Sequence, residues 1–484
     1  MKIHEIRLRN FRKFVDKHFS FNTNTNVTVL IGDNATGKTA ILDALSIMMG
    51  SYLLDFKVPR SVRHIRKSEV RLAQIKIGEI HTVEPQWSEG VKVECKGSLT
   101  KESEGLIQWS RELTSETGKT TRINAKKIAQ EGKEARLKSD RGEEVLLPVL
   151  AYYGTGRLWH KLQHGKLKKP DSRSVGYRDC LDPASNHHLF KNWFSRLEAA
   201  SIQKRKTFEV LEAVREAVKT CIINCENFHF DLERDELMVE LNSSEGALEQ
   251  PSHVEKHEDS NQLFSFYNLS DGYRNMLAMV ADIAHRAARL NPQLGRDAAK
   301  QTPGIVLIDE VDLHLHPKWQ RTIIEQLRTA FPEVQFIVTT HSPFIIQSLN
   351  PGEVIDLNNE GLFIESDNEA LEIATPAPQK SFSDQSIEDI VENVMGVDLP
   401  SRSARLQQMY QVAEKYYELL DKASDNNSVE LEQLKQRLDE LSAPFSENVA
   451  YHAFLERERL KTGILSEEEK YSQKTDSTLN IAKE

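Results

Sequence analysis

The sequence predicts an α/β fold over residues 1–360, followed by an all-helical C-terminal module. Short runs of β-branched and other apolar residues alternate with stretches of helical spacing. Several of these apolar runs end at glycines or at acidic and hydroxyl side chains. After about residue 380 only the helical spacing continues. Alternating strands and helices are typical of an open α/β sheet, whose strand ends are where ligands bind.

Chain length and composition narrow the class of protein further. The 484 residues exceed one typical domain, and a hydrophobic content of 39% is enough for a substantial core. No apolar run approaches the length of a membrane span, and the N-terminus lacks a signal-peptide core, so we expect a cytoplasmic protein without membrane contact. The formal net charge of -10 does not favour nucleic acid, so any such binding must come from local basic patches.

The predicted elements follow one another in a clear order. Two strands open the chain, a buried strand precedes a glycine loop and a helix, and short alternating strands between residues 70 and 125 indicate an antiparallel lobe. A basic segment from Lys119 to Lys138 is expected to be an exposed loop or helix. Further along, the expected elements are a strand at Glu144–Tyr153, helices over 187–223, a hairpin at Phe228–Leu241, an amphipathic helix after Met276, and strands at Pro303–Glu310 and Val334–Thr340.

The glycine loop follows the apolar run Val27–Ile31. It fits the pattern G-x-x-x-x-G-K-[ST] at every fixed position, and helical spacing follows it, which is the context that a phosphate-binding loop requires. Its backbone N–H groups would face phosphate oxygens, and the helix would add its positive end. Lys38 would contact the β- and γ-phosphates, and the Thr39 hydroxyl would contact Mg²⁺. The expected nucleotide-binding residues are Gly32, Asp33, Asn34, Ala35, Thr36, Gly37, Lys38, Thr39 and Ala40.

Two adjacent carboxylates, Asp309 and Glu310, end the apolar run that begins at Pro303. An aspartate in this position can hold Mg²⁺ through its water shell. The glutamate beside it can polarise the water that attacks the γ-phosphate. The simpler interpretation is a pair of solvated carboxylates at a strand end, and the phosphate loop upstream argues against it.

With these motifs the chain resembles ATPases of the ABC class, in the branch shared by SMC-type, RecF-like and OLD-like proteins. Leu269-Ser-Asp-Gly-Tyr-Arg274 looks like the signature LSGGQ, with Asp271 in place of its first glycine and Tyr273 in place of its glutamine. Asp312 looks like part of the D-loop, and His341 looks like the switch histidine. Asn10-Phe11-Arg12 matches the N-terminal strand and turn of SMC-like heads, which adds Arg12 to the expected nucleotide contacts.

The resemblance implies a mechanism and an assembly. Two heads would sandwich two ATP molecules, so that Ser270, Asp271 and Gly272 of one protomer face the γ-phosphate held by the other. The helix that Ser270 or Asp271 would cap has a positive end that suits an anion on physical grounds as well. Lys38, Glu310 and His341 would be the catalytic residues, and hydrolysis would need both protomers of at least a dimer. The Q-loop position stays open between Gln74 and the Tyr152-Tyr153 loop.

The C-terminal part distinguishes between branches of this class. Residues 356–484 lack the D-x-D of a Toprim nuclease. The interval from Thr39 to Ser270 shows no long heptad run either, so no extended coiled coil is expected to project from the ATPase domain. Tyr153-Gly-Thr-Gly-Arg157 and the pattern Ile387-Glu-Asp-Ile390, Gly396-Val-Asp398, Ser401-Arg402 are similar to the PtuA family, the ATPase subunits of bacterial Septu anti-phage systems. That resemblance implies an HNH endonuclease partner (PtuB-like). The lack of a D-x-D and the helical pattern of residues 356–484 predict no nuclease site in this chain.

The order of these motifs along the chain predicts where the domains begin and end. Residues 1–360 would form the ABC-type ATPase domain, with the antiparallel β lobe at about 60–150 and a helical insertion at about 158–225. Residues 361–465 would form the helical module that binds the partner, and residues 466–484 a disordered tail.

Three basic clusters are candidates for DNA contact: Arg60–Lys67, Lys119–Lys138 and His160–Lys169. Such runs also occur as ordinary solvated surfaces. Two functions therefore stay open. One is an ATP-dependent regulatory subunit of a nuclease defence complex, and the other is a stand-alone DNA-repair ATPase.

Overall fold

The computed structural model describes residues 1–77, 80–99, 105–157, 172–183, 187–242, 262–358 and 382–397, and further on 408–409, 411–413, 415–416, 419 and 428–442. The chain divides into two compact units, Met1–Ile390 and Val391–Glu484. The first unit extends past the domain boundary predicted at residue 360. The basic cluster His160–Lys169, the Ser401-Arg402 pair and the predicted tail at 466–484 lie outside the described residues.

The described elements are numbered here in chain order. The strands are β1 (Lys2–Phe11), β2 (Phe14–Ser20), β3 (Val27–Ile31), β4 (Leu72–Ile77), β5 (Ile80–Pro85), β6 (Val91–Ser98), β7 (Ile107–Leu113), β8 (Val149–Tyr153), β9 (Cys225–Asp231), β10 (Glu236–Leu241), β11 (Gln262–Ser265), β12 (Gly304–Ile308), β13 (Val334–Thr339) and β14 (Val354–Asp356). The α-helices are α1 (Lys38–Gly50), α2 (Lys126–Asp140), α3 (His187–Lys204), α4 (Glu209–Cys221), α5 (Asp271–Leu290), α6 (Ala298–Gln301), α7 (Pro317–Gln320), α8 (Ile323–Ala330), α9 (Pro343–Gln347), α10 (Ile387–Asn393) and α11 (Ser428–Ser442).

A parallel five-stranded sheet forms the centre of the first unit, with the strand order β14-β3-β13-β12-β8. Every residue of β3, β8, β12 and β13 is buried, which explains why these strands read as continuous apolar runs rather than as alternating ones. Their carboxyl ends lie along one edge, so the polar residues that follow them are brought together there. The predicted α/β fold class is confirmed.

Helix α1 lies between the parallel sheet and an antiparallel sheet of strand order β2-β1-β6-β7, and it contacts strands of both. This position explains why α1 is buried nearly all round, with only Thr39 exposed in its first turn. The indole of Trp109 on β7 donates to the carbonyl of Met48 at 3.1 Å, which ties the helix to the antiparallel sheet. That sheet takes two of its four strands from the first 20 residues, ahead of the interval 60–150 predicted for the β lobe.

Two predicted elements differ in detail. Among the short strands predicted between residues 70 and 125, the alternation of Gln74–Ile80 predicts a single strand, but the structure has two antiparallel strands, β4 and β5, in which Ile77 pairs with Ile80. Gly78-Glu79 separates the two strands in sequence, and a glycine within a strand pattern commonly marks such an interruption. The segment from Lys119 contains α2, whose residues Ile128 and Ala129 are buried, so it is a packed helix rather than a loop. The hairpin predicted at Phe228–Leu241 is confirmed as β9 and β10.

The second unit contains a small apolar cluster in its described residues. Its buried side chains are Met409, Ala413, Tyr416, Leu438 and Leu441. Leu438 and Leu441 come from α11, and the spacing of Met409, Ala413 and Tyr416 is helical. From residue 382 onward the described residues include helices and no strand. Across the described parts of the whole chain, no helix combines the length and the apolar character needed to cross a membrane.

Candidate nucleotide-binding site

The phosphate loop joins β3 to α1 and has the backbone that its glycines permit. Gly32 has φ 140° and Gly37 has φ 105°, values that residues with a side chain rarely adopt. A Cβ at Gly37 would also lie 2.5 Å from Cζ of Phe14, so the close packing of β2 on the loop requires glycine there. Asp33, Asn34 and Ala35 are exposed at the tip, whereas Ala40 is buried in α1.

Lys38 is held inside the curve of the loop. Its Nζ donates to the carbonyl of Gly32 at 2.6 Å and to that of Asp33 at 2.9 Å, and the Thr36 hydroxyl also donates to Asp33 at 2.9 Å. Burial lowers the pKa of Lys38, while the negative charge of Asp309 opposes that shift. An ammonium in this position offers its donors to an anion that enters the loop.

The loop meets the strand-end carboxylates through one hydrogen bond. The Thr39 hydroxyl donates to Oδ2 of Asp309 at 2.9 Å, although the two residues are 270 positions apart in the sequence. Hydroxyl and carboxylate oxygens are the ligands that Mg²⁺ prefers, and bound Mg²⁺ would neutralise phosphate charge. The two side chains predicted as metal ligands are therefore brought together.

Glu310 is fixed through its backbone rather than through its side chain. Its N–H donates to Oγ1 of Thr339 at 2.7 Å, and the same hydroxyl donates to Oδ1 of Asp309 at 2.7 Å. Glu310 has φ 49°, a left-handed conformation that is uncommon for a residue other than glycine. Because β12 and β13 pair in parallel, with Ile308 beside Val338, the next residues along each strand become neighbours.

The stretch expected to engage a second protomer lies at the start of α5. Ser270 is the N-cap residue but forms no side-chain capping bond, and Asp271 pairs with Arg274. A Cβ on Gly272 would collide with the carbonyl oxygen of His314, so glycine permits α5 to pack closely on the segment after Glu310. In the described part of the chain, no hydrogen bond joins Ser270, Asp271 or Gly272 to the phosphate loop.

Two further predicted residues lie beyond the strand ends. The Thr340 hydroxyl donates to Oδ1 of Asp312 at 2.6 Å and accepts from the N–H of Ser342 at 3.0 Å. His341, which lies between Thr340 and Ser342 in the sequence, is half-buried. The structure thus brings Asp312 and His341 to one corner, beside the end of β13.

Arg12 is placed differently from its neighbour Lys13. The Arg12 guanidinium pairs with Asp43 of α1 and lies 3.5 Å from Oε1 of Glu69. Lys13 instead donates to the carbonyl of Ala35 in the phosphate loop at 3.0 Å. Lys13 was not predicted from the sequence, although a second cation directly beside Arg12 was a signal for it. The role of Arg12 in nucleotide binding stays a prediction.

The sequence indicates Arg157 only as the end of the motif Tyr153–Arg157, and the structure places it against the backbone of Asp309 and Glu310. It is 5% exposed, and its guanidinium donates to the carbonyls of Gly154 at 3.0 Å, Asp309 at 2.7 Å and Glu310 at 2.9 Å. It also donates to Oδ1 of Asn275 on α5 at 2.5 Å. Burial lowers its pKa to about 10, against the raising effect of Asp309.

The two candidates for the Q-loop position lie in different sheets, since β4 pairs with β5 and β8 belongs to the five-stranded sheet. Gln74 is exposed on β4. The hydroxyls of Tyr152 and Tyr153 are buried and donate to Asp43 at 3.1 Å and to Asp282 at 2.8 Å. These contacts give both tyrosines structural partners, and the Q-loop position stays open.

The basic clusters are only partly available to a nucleic acid. Arg63, in the cluster Arg60–Lys67, is buried and paired with Asp43 and Glu69. Over α2 the exposed lysines are interleaved with the exposed side chains of Glu131 and Glu134, and these carboxylates reduce the positive charge of the helix surface. These ion pairs and interleaved carboxylates reduce the positive charge that the two described clusters offer to DNA phosphates.

Residues 27–347 match the family model described as "AAA domain, putative AbiEii toxin, Type IV TA system". The retron Vc95 probable ATPase of Vibrio cholerae serotype O1 biovar El Tor is 27% identical over 393 residues, 73% of this chain and 74% of that protein. The retron Ec83 probable ATPase of Escherichia coli is 26% identical over 396 residues, 74% of this chain and 72% of that protein.

The Septu protein PtuA of Bacillus mycoides (strain KBAB4) is 33% identical over 184 residues, which are 38% of this chain and 23% of that protein. The similarity to PtuA that the motifs predicted is confirmed.

Proposed function

Because the chain belongs to the family described as "AAA domain, putative AbiEii toxin, Type IV TA system", we propose that it is the ATP-binding and ATP-hydrolysing subunit of an anti-phage defence complex. The observation that carries the ATPase assignment is the hydrogen bond from Thr39 to Asp309, with Glu310 next to it. The defence assignment rests on the similarity to a Septu protein PtuA and to two retron ATPases.

Each residue of the site has a role in this proposal. The backbone N–H groups of the phosphate loop and Lys38 bind the phosphates of ATP. Thr39 and Asp309 hold Mg²⁺, which neutralises phosphate charge. Glu310 polarises the attacking water, and His341 contacts the γ-phosphate. The charge that develops on the phosphate oxygens is stabilised mainly by preorganised cations and N–H groups, since phosphoryl transfer needs little covalent help from a protein.

The proposed enzyme acts as a dimer or a higher oligomer. The start of α5, with Ser270 at its N-cap, has no side-chain cap among the described residues, and its backbone N–H groups suit an anion. A γ-phosphate bound by a second copy fits that position. ATP would then be enclosed by two protomers, and hydrolysis would depend on their association.

The proposed partner is an HNH endonuclease that cleaves DNA, and its docking element is the helical part of the chain within 361–465. The described residues of that part include helices and carry a cluster of five buried apolar side chains, and the similarity to a Septu protein PtuA supports a complex with a partner chain. In this arrangement the ATPase regulates a nuclease held in another chain.

The test begins with affinity purification of the tagged protein expressed from its own locus, followed by mass spectrometry. A stoichiometric HNH protein is the expected result. In parallel, phosphate release by the purified chain is measured with and without DNA, with Lys38→Ala as the control that loses ATP binding. A chain that purifies alone and hydrolyses ATP only when DNA is added would replace this proposal with a stand-alone DNA-repair ATPase.

A further inference from the structure

Arg157 is buried, and among the described residues its hydrogen-bond partners are all neutral, whereas the carboxylates of Asp309, Glu310 and Asp312 act on it only through their charge. Its hydrogen bonds go to three backbone carbonyls and to one side-chain amide. Burial of a guanidinium costs free energy that nearby carboxylates offset only in part when none of them pairs with it directly, and an apolar side chain would avoid that cost. Stability alone therefore does not explain an arginine at this position, and the acceptors that it contacts indicate another role.

Those acceptors belong to three separate segments. Gly154 follows β8, Asp309 and Glu310 follow β12, and Asn275 lies in the second turn of α5. The amide of Asn275 also donates to the carbonyl of Leu313 at 3.0 Å. The beginning of α5 is thus joined to the segment that follows β12 in two ways. One connection runs through Arg157, and the other is the direct hydrogen bond from Asn275 to Leu313.

We infer that Arg157 is a positioning residue, which fixes the backbone of Asp309 and Glu310 and links it to the start of helix α5. This inference rests on the proposed function, because it concerns the same hydrolytic site. The Glu310 backbone is held at its N–H by Thr339 and at its carbonyl by Arg157, and the conformation with φ 49° is maintained between them.

The geometry requires a guanidinium rather than any cation. Arginine presents several N–H donors in one rigid plane, so that a single side chain reaches acceptors on three segments. A lysine head group has one nitrogen and cannot span the carbonyls of Gly154 and Glu310 together with Asn275. A shift of α5, such as would follow when a second copy engages Ser270, therefore acts on the position of Glu310 through Arg157.

The chain offers a matched control in Arg173. This arginine also donates to backbone carbonyls, those of Leu290 at 2.7 Å and Val145 at 3.0 Å, and it lies 3.4 Å from Oδ1 of Asn291. It joins the other end of α5 to the segment before β8, and burial lowers its pKa as well. Arg157 and Arg173 thus share their chemistry and differ in distance from the site.

The experiment compares Arg157→Lys, Arg157→Gln and Arg173→Gln in the full chain. For each variant we would measure Tm, the Kd of a fluorescent ATP analogue with Mg²⁺, and kcat and KM for phosphate release. Both Arg157 variants should lower kcat by about tenfold or more, with the Kd within about twofold of wild type, because an interaction that places the catalytic carboxylate affects kcat more than binding. Arg173→Gln should lower Tm and retain the wild-type kcat.

A double-mutant cycle with Asn275→Leu tests the link to α5. If the two residues act as one unit, the double variant should be no slower than Arg157→Gln alone. An Arg157→Lys variant with the wild-type kcat would overturn the inference, as would equal losses of kcat in the Arg157 and Arg173 variants. A wild-type chain that binds ATP and releases no phosphate would overturn both this inference and the proposed function.

Discussion

Replacement of Thr339 by valine is the sharpest test of how the carboxylates are held. Thr339 is fully buried, and its single hydroxyl donates to Asp309 and accepts from the N–H of Glu310, both at 2.7 Å. Valine has nearly the same shape, so the change removes two hydrogen bonds and creates little cavity. One lost bond involves a carboxylate and the other leaves a backbone N–H without its partner.

The expected magnitude follows from these two bonds. A hydrogen bond to a charged group contributes about 1.5–3 kcal/mol, and an unpaired buried N–H costs about 1–3 kcal/mol. Because the N–H of Glu310 is only partly buried, we expect a loss in the lower half of the combined range, about 2.5–4 kcal/mol in the free energy of unfolding. If about 1.4 kcal/mol of this loss also appears in the transition state for hydrolysis, kcat falls about tenfold.

The assay combines urea unfolding with phosphate release at saturating ATP. Thr302→Val is the control, since Thr302 is equally buried and its hydroxyl accepts only from the amide of Asn291, at 3.0 Å, in the described contacts. The control should lose about 1 kcal/mol and retain its kcat. A Thr339→Val protein with the wild-type kcat would refute the view that this hydroxyl positions Asp309 and Glu310.

Three further predictions address catalysis, assembly and pH. Glu310→Gln should bind ATP with the wild-type Kd and accumulate as an ATP-bound oligomer in size-exclusion chromatography, because the bound water loses its base; prompt release of ATP would contradict that role. Ser270→Arg should abolish ATP-dependent association and leave monomer binding intact, since a bulky cation at the N-cap blocks a γ-phosphate from a second copy; unchanged dimerisation would exclude that interface. Burial lowers the pKa of His285 to about 4, whereas an unfolded histidine has a pKa near 6.5. Between these two pH values the His285 side chain therefore binds more protons in the unfolded chain than in the folded one. The free energy of unfolding should therefore fall from pH 6.5 towards pH 4, and His285→Phe should show a smaller fall between pH 7 and pH 5 in urea titrations.

The strands and their polar ends could be predicted because each rests on local sequence. Val27–Ile31 matches β3 at both ends, and the run ending at Asp309 contains β12. The order of strands in the sheet could not be predicted, since it depends on packing between distant segments. β13 lies between β3 and β12, and this order sets Thr339 beside Asp309. For the same reason the sequence indicated Arg157 only as part of a motif, because three of its four hydrogen-bond partners, Asn275, Asp309 and Glu310, are more than 100 residues away.

The way in which Glu310 is held has a consequence for regulation. Its carboxylate is half-buried, whereas its backbone is bound on both sides by buried groups, Thr339 and Arg157. Glu310 therefore points where the backbone directs it, and a small rotation at φ moves its carboxylate by a larger amount. Activity that depends on orientation can be changed by any contact that shifts α5, without a new group in the site. Association of two copies at Ser270 would act at the end of α5 that Asn275 connects to Arg157, so assembly and hydrolysis would be coupled through hydrogen bonds that a single chain already contains.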